Sequence, residues 1–153
     1  MSFSAKLAEL GIELPSVAAP VAAYVPAVQS GDLIYTSGQL PFVDGKLSAT
    51  GLVGGEVDEE TAYEQARIAT LNALAAIHDL VGIDQITKIV KVNGFVASAK
   101  GFGGQPAVIN GASELLGEVF GSEVGTHARA AVGVAELPLN APVEVEIIVQ
   151  VAT

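Results

Sequence analysis

The chain has 153 residues, with seventeen acidic and seven basic side chains for a formal charge of −10, and no cysteine. That charge balance repels a phosphate backbone, and the missing thiols remove disulfides, thiolate metal sites and cysteine nucleophiles. Half of the residues are hydrophobic, yet no apolar run approaches the roughly 20 residues of a membrane span.

Composition therefore points to one domain over residues 1–153, with neither nucleic acid nor membrane as a partner. Met1 to Leu10 lacks the basic start and apolar core of a secretory signal, so the expected compartment is the cytoplasm. Only 16% of residues are charged, against about 25% in an average domain. So thinly charged a surface leaves apolar area that further copies of the chain are expected to cover.

Residues 1–20 read as an N-terminal arm: an amphipathic segment stopping at Leu10-Gly11, then an extended Pro- and Ala-rich stretch through Pro20. Strand-like runs follow at 24–28 and 33–37 around Ser30-Gly31-Asp32, and Asp44-Gly45 marks a second turn. Asp58, followed by Glu59 and Glu60, has the pattern of a helix N-cap with acids over the positive end of the dipole; the helix runs to Leu80 before Gly82. Ala62, Ala66, Ala69, Ala73 and Ala76 recur along it at helical spacing, a stripe small enough to lie close on a sheet.

Ile86–Ala97 is rich in β-branched and apolar residues and predicts a strand. Gly101-Phe102-Gly103-Gly104 breaks it, Pro106 suits the first turn of a second helix, and Gly121 is expected to end that helix. Two final strands are expected at 132–137 and 143–151, flanking the turn Pro138-Leu139-Asn140-Ala141-Pro142. In the last strand Val143, Val145, Ile147, Val149 and Val151 share one face, Glu144 and Glu146 the other. The order β-β-α-β-α-β-β predicts an α+β two-layer sandwich, a mixed sheet with two helices on one face.

Arg129, one of two arginines in the chain, heads a stretch built mostly for burial between apolar layers. An uncompensated buried cation costs several kcal/mol, so it needs a carboxylate from Glu144 or Glu146, the carboxylate of a small ligand, or open water. A rigid guanidinium fork grips a carboxylate bidentately, which suits an anchor for a small α-carboxylated substrate. If the Glu144 strand pairs antiparallel with the Arg129 strand, the Glu144 carboxylate reaches the same cavity and can hold water as a base. His127, two residues before Arg129 in an extended segment, is either a proton donor on the same side or a loop histidine in solvent.

The other polar candidates read as structural. His78 suits the negative end of the first helix, and the two histidines lack metal-site spacing. Residues 101–104 stand where a glycine loop can cradle phosphate, but without the spacing of any phosphate-binding motif they read as a turn. Ser37 lies in Thr36-Ser37-Gly38-Gln39, which lacks the setting of a hydrolase nucleophile.

Two segments together resemble the RidA/YjgF family of reactive-intermediate deaminases, also labelled L-PSP endoribonucleases. They are Ser30-Gly31-Asp32-Leu33-Ile34-Tyr35-Thr36-Ser37-Gly38-Gln39-Leu40-Pro41, and Ala128-Arg129-Ala130-Ala131-Val132-Gly133-Val134-Ala135-Glu136-Leu137-Pro138 running on to Val143-Glu144-Val145-Glu146. The resemblance extends over residues 20–151 and implies a chorismate-mutase-like fold and homotrimers with sites at the subunit clefts. It further implies hydrolysis of enamine/imine (2-imino acid) intermediates to 2-keto acids and ammonia, without metal or cofactor. By the same resemblance Arg129 grips the substrate carboxylate, Glu144 positions the attacking water, Ser37 and Gly38 line the pocket, and Tyr24 and Asn110 contribute to it. The chain departs from the family pattern at Ala131, where typical members often have cysteine, and in a longer N-terminal arm and glycine loop.

An imine carbon beside a carboxylate is already electrophilic, so its hydrolysis needs orientation, a held water and modest proton transfer. Two rival readings remain. One is a non-catalytic trimeric protein that holds a metabolite carboxylate. The other is an endoribonuclease, which the acidic balance and the missing basic-aromatic surface oppose.

Overall fold

Strict alternation along Val143–Val151 organises the molecule: every odd-numbered residue is buried and every even-numbered one is partly exposed. A strand with that period buries one face only, and here the covered face lies beneath two long helices. The computed structural model describes residues 1–17 and 23–153. Its elements are α1 (Phe3–Glu9), β1 (Ala27–Ser30), β2 (Leu33–Thr36), β3 (Phe42–Val43), β4 (Lys46–Leu47), α2 (Glu59–Val81), β5 (Ile86–Ala97), α3 (Gln105–Gly125), β6 (Ala128–Val134) and β7 (Val143–Val151). The main sheet has the order β1-β2-β7-β5-β6, antiparallel except for the parallel pair of β5 and β6. The mixed α+β architecture expected from the sequence is therefore the one observed.

Asp58 caps α2 as its sequence pattern requires, its Oδ1 accepting from Thr61 N at 2.8 Å. All five stripe alanines are buried. Gly111 of α3 lies against the carbonyl oxygen of Tyr63, and a Cβ at that position would overlap it. The two helices therefore approach to backbone contact only because glycine stands there. Asp44 and Gly45 both have positive φ (51° and 78°), the backbone of a two-residue hairpin turn, and they join β3 to β4.

Three expectations need correction. The first ten residues are not simply an arm: α1 is a third helix, capped by Ser2 Oγ and docked on the body. Phe3 and Phe120 meet edge-on at 4.6 Å, and Asp84 accepts from Ser4 N and Ser4 Oγ at 2.9 and 2.6 Å. Too few apolar residues mark this docking in the sequence. The end of the expected extended stretch, residues 18–20, lies outside the described residues.

The first strand is shifted to Ala27–Ser30 from the expected 24–28. Gly121 interrupts the second helix where expected: at φ 77° and ψ 175° its backbone is not helical, and a further short helical turn follows to Gly125. The strand expected at 132–137 instead spans Ala128–Val134 and does not form a hairpin with β7, because β5 lies between them.

Candidate functional site

Arg129 is the second residue of β6 and pairs with Val92 of β5 in a parallel register. Val92 is fully buried beneath the helices. Residues paired across a ladder share a face, so Arg129 also points to the helix side. There α3 presents Asn110 and Ser113, three residues apart and hence on one helix face. Arg129 Nη1 donates to Asn110 Oδ1 at 2.8 Å and to Ser113 Oγ at 3.3 Å. Among the described residues no carboxylate lies within ion-pair distance of Arg129; the pairs formed are Lys6–Glu9 and Arg67–Glu118. A salt link to Glu144 or Glu146, the first of the three partners open to Arg129 in the sequence, is therefore not made.

Glu144 is on the opposite face. It alternates with buried Val143 and Val145 and pairs with Phe95 of β5. The premise of an antiparallel pair between the Arg129 and Glu144 strands is overturned by β5, which lies between β6 and β7. Within one chain the sheet itself separates the two groups. Glu144 packs on Gly38, where a Cβ would stand 2.7 Å from its Oε2. Burial, and after it the Glu146 carboxylate, push the Glu144 carboxyl above its ordinary pKa. Glu146 Oε1 itself accepts from Asn93 Nδ2 at 3.2 Å.

The segment that bears Gly38 is held on both sides. Ser37 donates from its hydroxyl to Val25 O at 2.6 Å and from its amide to Pro26 O at 2.8 Å. Gln39 exchanges both backbone hydrogen bonds with Val145, at 2.8 and 3.0 Å. With its proton committed to a carbonyl, Ser37 serves the shape of the Glu144 pocket and is not set up as a nucleophile. Tyr24 stands just before the Val25 that Ser37 grips and is 51% exposed. The structure thus brings Ser37, Gly38 and Glu144 together at one end of β2, leaves Tyr24 exposed one residue before the Val25 that Ser37 holds, and puts Arg129 with Asn110 on the far side of the sheet.

His127 is not a solvent loop residue. Its Nδ1 lies 2.6 Å from Gly125 O and its Nε2 lies 2.9 Å from Ser113 Oγ. Ser113 escaped the sequence reading, although its spacing from Asn110 puts both on one helix face. His78 accepts at Nδ1 from Ile83 N at 3.1 Å and closes the end of α2. At Gly104 an added Cβ would collide with the Glu59 carboxylate and the Phe102 ring. An acidic group thus stands by the start of α3, where a phosphate cradle would need positive potential.

Two hollows, of about 510 and 590 Å³, border the N-terminal segment and α2, and neither is lined by Arg129 or Glu144. Among the described residues no group of three or more His, Asp or Glu side chains could hold a metal ion, and no helix is long and apolar enough to cross a membrane.

Comparison with known proteins supplies the remaining facts. The family model described as "YjgF/chorismate_mutase-like, putative endoribonuclease" matches residues 4–151. The chain is 43% identical over 148 residues to protein TCP17 of Trypanosoma cruzi, covering 96% of this chain and 92% of that protein. It is 34% identical over 138 residues to a 2-iminobutanoate/2-iminopropanoate deaminase of Dermatophagoides farinae, covering 90% and 93%. The crystal structure of protein Atu1372 from Agrobacterium tumefaciens, of unknown function, superposes with a TM-score of 0.89 at 46% identity, over 98% of this chain and 92% of that one.

Proposed function

The chain belongs to the RidA/YjgF family, with its YjgF/chorismate-mutase-like fold, and from that premise we propose that it hydrolyses 2-imino acids to 2-keto acids and ammonia. The observation that carries the reading is Arg129, a half-buried guanidinium that no carboxylate of its own chain neutralises among the described residues. The substrate carboxylate is then the group that completes it. A similar deaminase at 34% identity names the chemistry.

The reaction runs as follows in this reading. Arg129 fixes the plane of the carboxylate, and with it the imine carbon. Glu144, with its pKa raised by burial, sits nearer the working pH than an ordinary carboxylate, which favours it as a general base. It takes a proton from water as the oxygen bonds to the carbon of the protonated imine and the C=N electron pair moves to nitrogen, giving a neutral carbinolamine. Glu144 then returns its proton to the nitrogen and takes the hydroxyl proton as the C–N bond breaks, ammonia leaves and the C=O forms. Because the two groups lie on opposite faces of one sheet, a complete site needs Arg129 of one copy and Glu144 of the next. A homotrimer, arranged head to tail so that each copy offers both halves, supplies that pairing. It also covers the open sheet face, where Val28, Tyr35 and Val132 are exposed.

The test is Arg129→Ala. Losing a buried charge pair of about 2 to 5 kcal/mol lowers kcat/KM for 2-iminobutanoate at least about thirtyfold. Undiminished hydrolysis in the variant rejects the role. If the unaltered protein binds 2-oxobutanoate in calorimetry but turns over no imine, the binding-protein reading takes its place.

A further inference from the structure

Arg129 spends its Nη1 group on α3, and a protein group chosen by His127 decides how. Gly125 O can only accept, so the 2.6 Å contact makes His127 Nδ1 the donor. In the neutral imidazole Nε2 is then an acceptor, so Ser113 must give its hydroxyl proton to Nε2 across 2.9 Å. That turns the Ser113 lone pairs toward Arg129 Nη1, 3.3 Å away, while Asn110 Oδ1 takes the other Nη1 proton at 2.8 Å. With both Nη1 protons engaged, a bidentate fork survives on one edge of the guanidinium only, Nε with Nη2. Neither atom has a partner among the described residues.

We propose that His127 and Ser113 are positioning residues that fix which edge of Arg129 meets the ligand, so that a planar carboxylate docks on Nε and Nη2. The inference rests on the imino-acid reading and deepens it: the ligands selected are those whose carboxylate plane matches that edge. Neither residue touches the reacting atoms. The glycine-terminated end of α3 has a part in this arrangement, since Gly125 O sets the tautomer.

The experiment uses the full chain and two probes, 2-oxobutanoate for binding and 2-iminobutanoate for turnover. Ser113→Ala and His127→Ala are each expected to weaken the 2-oxobutanoate Kd and raise KM about tenfold, the scale of one hydrogen bond to a charged group, with kcat changed less than threefold. Ser113→Thr, which keeps a hydroxyl, is expected to restore both constants. In an Arg129→Ala background Ser113→Ala is expected to change nothing further, because the bond it removes is already gone. Nitrogen-15 NMR of His127 should show the Nδ1–H tautomer. Wild-type Kd and KM in both alanine variants, an additive effect in the Arg129→Ala background, or an Nε2–H imidazole overturns the inference. Failure of the parent protein to turn over imine, or undiminished turnover in Arg129→Ala, is a different result and strikes the function itself.

Discussion

Gly38→Ala tests the Glu144 pocket with a single methyl group. Gly38 is not among the positive-φ positions, so its backbone accepts alanine and the clash is with side-chain atoms alone. The new Cβ would stand 2.7, 2.8 and 3.2 Å from Oε2, Cδ and Cγ of Glu144, whereas ordinary contact begins at 3.4 Å. The carboxylate must therefore retreat by about 0.7 Å, the difference between 3.4 and 2.7 Å. Misplacement of a reacting group by 1 Å can cost about a hundredfold in rate, so kcat should fall between tenfold and a hundredfold. The group that gives is the free end of a partly exposed side chain, so the loss of stability should stay under about 1 kcal/mol. Moving outward also rehydrates the carboxylate and relieves the burial that raises its pKa. The acidic limb of the kcat profile is then expected to move to lower pH. Steady-state kinetics of 2-iminobutanoate hydrolysis across pH, with thermal melting as the control, checks this. A variant with wild-type kcat and an unmoved acidic limb would refute the placement of Glu144 as the base.

Glu144→Gln should abolish turnover without loss of stability near neutral pH. The folded-state pKa of Glu144 is raised, so the native chain binds more protons than the unfolded one from about 4.5 upward. Wild-type stability attributable to this group is present below that window and declines as pH rises through it. Glutamine does not titrate, so melting temperatures from pH 4.5 to 7 should drop less in the variant than in the parent; an equal or greater drop contradicts the burial argument. Gly111→Ala places a methyl group into the Tyr63 carbonyl, backbone against backbone. Overpacking that no side chain can relieve should destabilise by about 3 kcal/mol, and urea unfolding with an unchanged midpoint would show that α2 and α3 do not touch there.

Much of the frame was legible because it rests on local rules. The Asp58 cap, the alanine stripe and the β7 alternation each tie a residue type to a position in one element. The neighbour of β6 was not, because pairing across a sheet is decided by distant residues. Adjacent strands joined by a proline-rich turn suggest a hairpin, yet β5, with its small Gly94 under Ile109, lies between them. Glycine at 121 carries a stop signal, and its φ of 77° interrupts the helical backbone there, whereas the short turn that resumes to Gly125 has no mark in the sequence. At the site, Arg129 and Glu144 stand out by type, whereas their separation by the sheet depends on the register that sequence does not reveal. Ser113 and His127 have ordinary meanings alone, and only the fold brings them to the guanidinium.

Subunit mixing tests the central claim most directly. Arg129→Ala and Glu144→Ala chains, each inactive by itself, are co-refolded in equal amounts and assayed for 2-iminobutanoate hydrolysis. If every site joins Arg129 of one copy to Glu144 of the next, random head-to-tail rings regain about a quarter of the wild-type sites. Mixed assemblies that form and yet recover no activity would contradict the account.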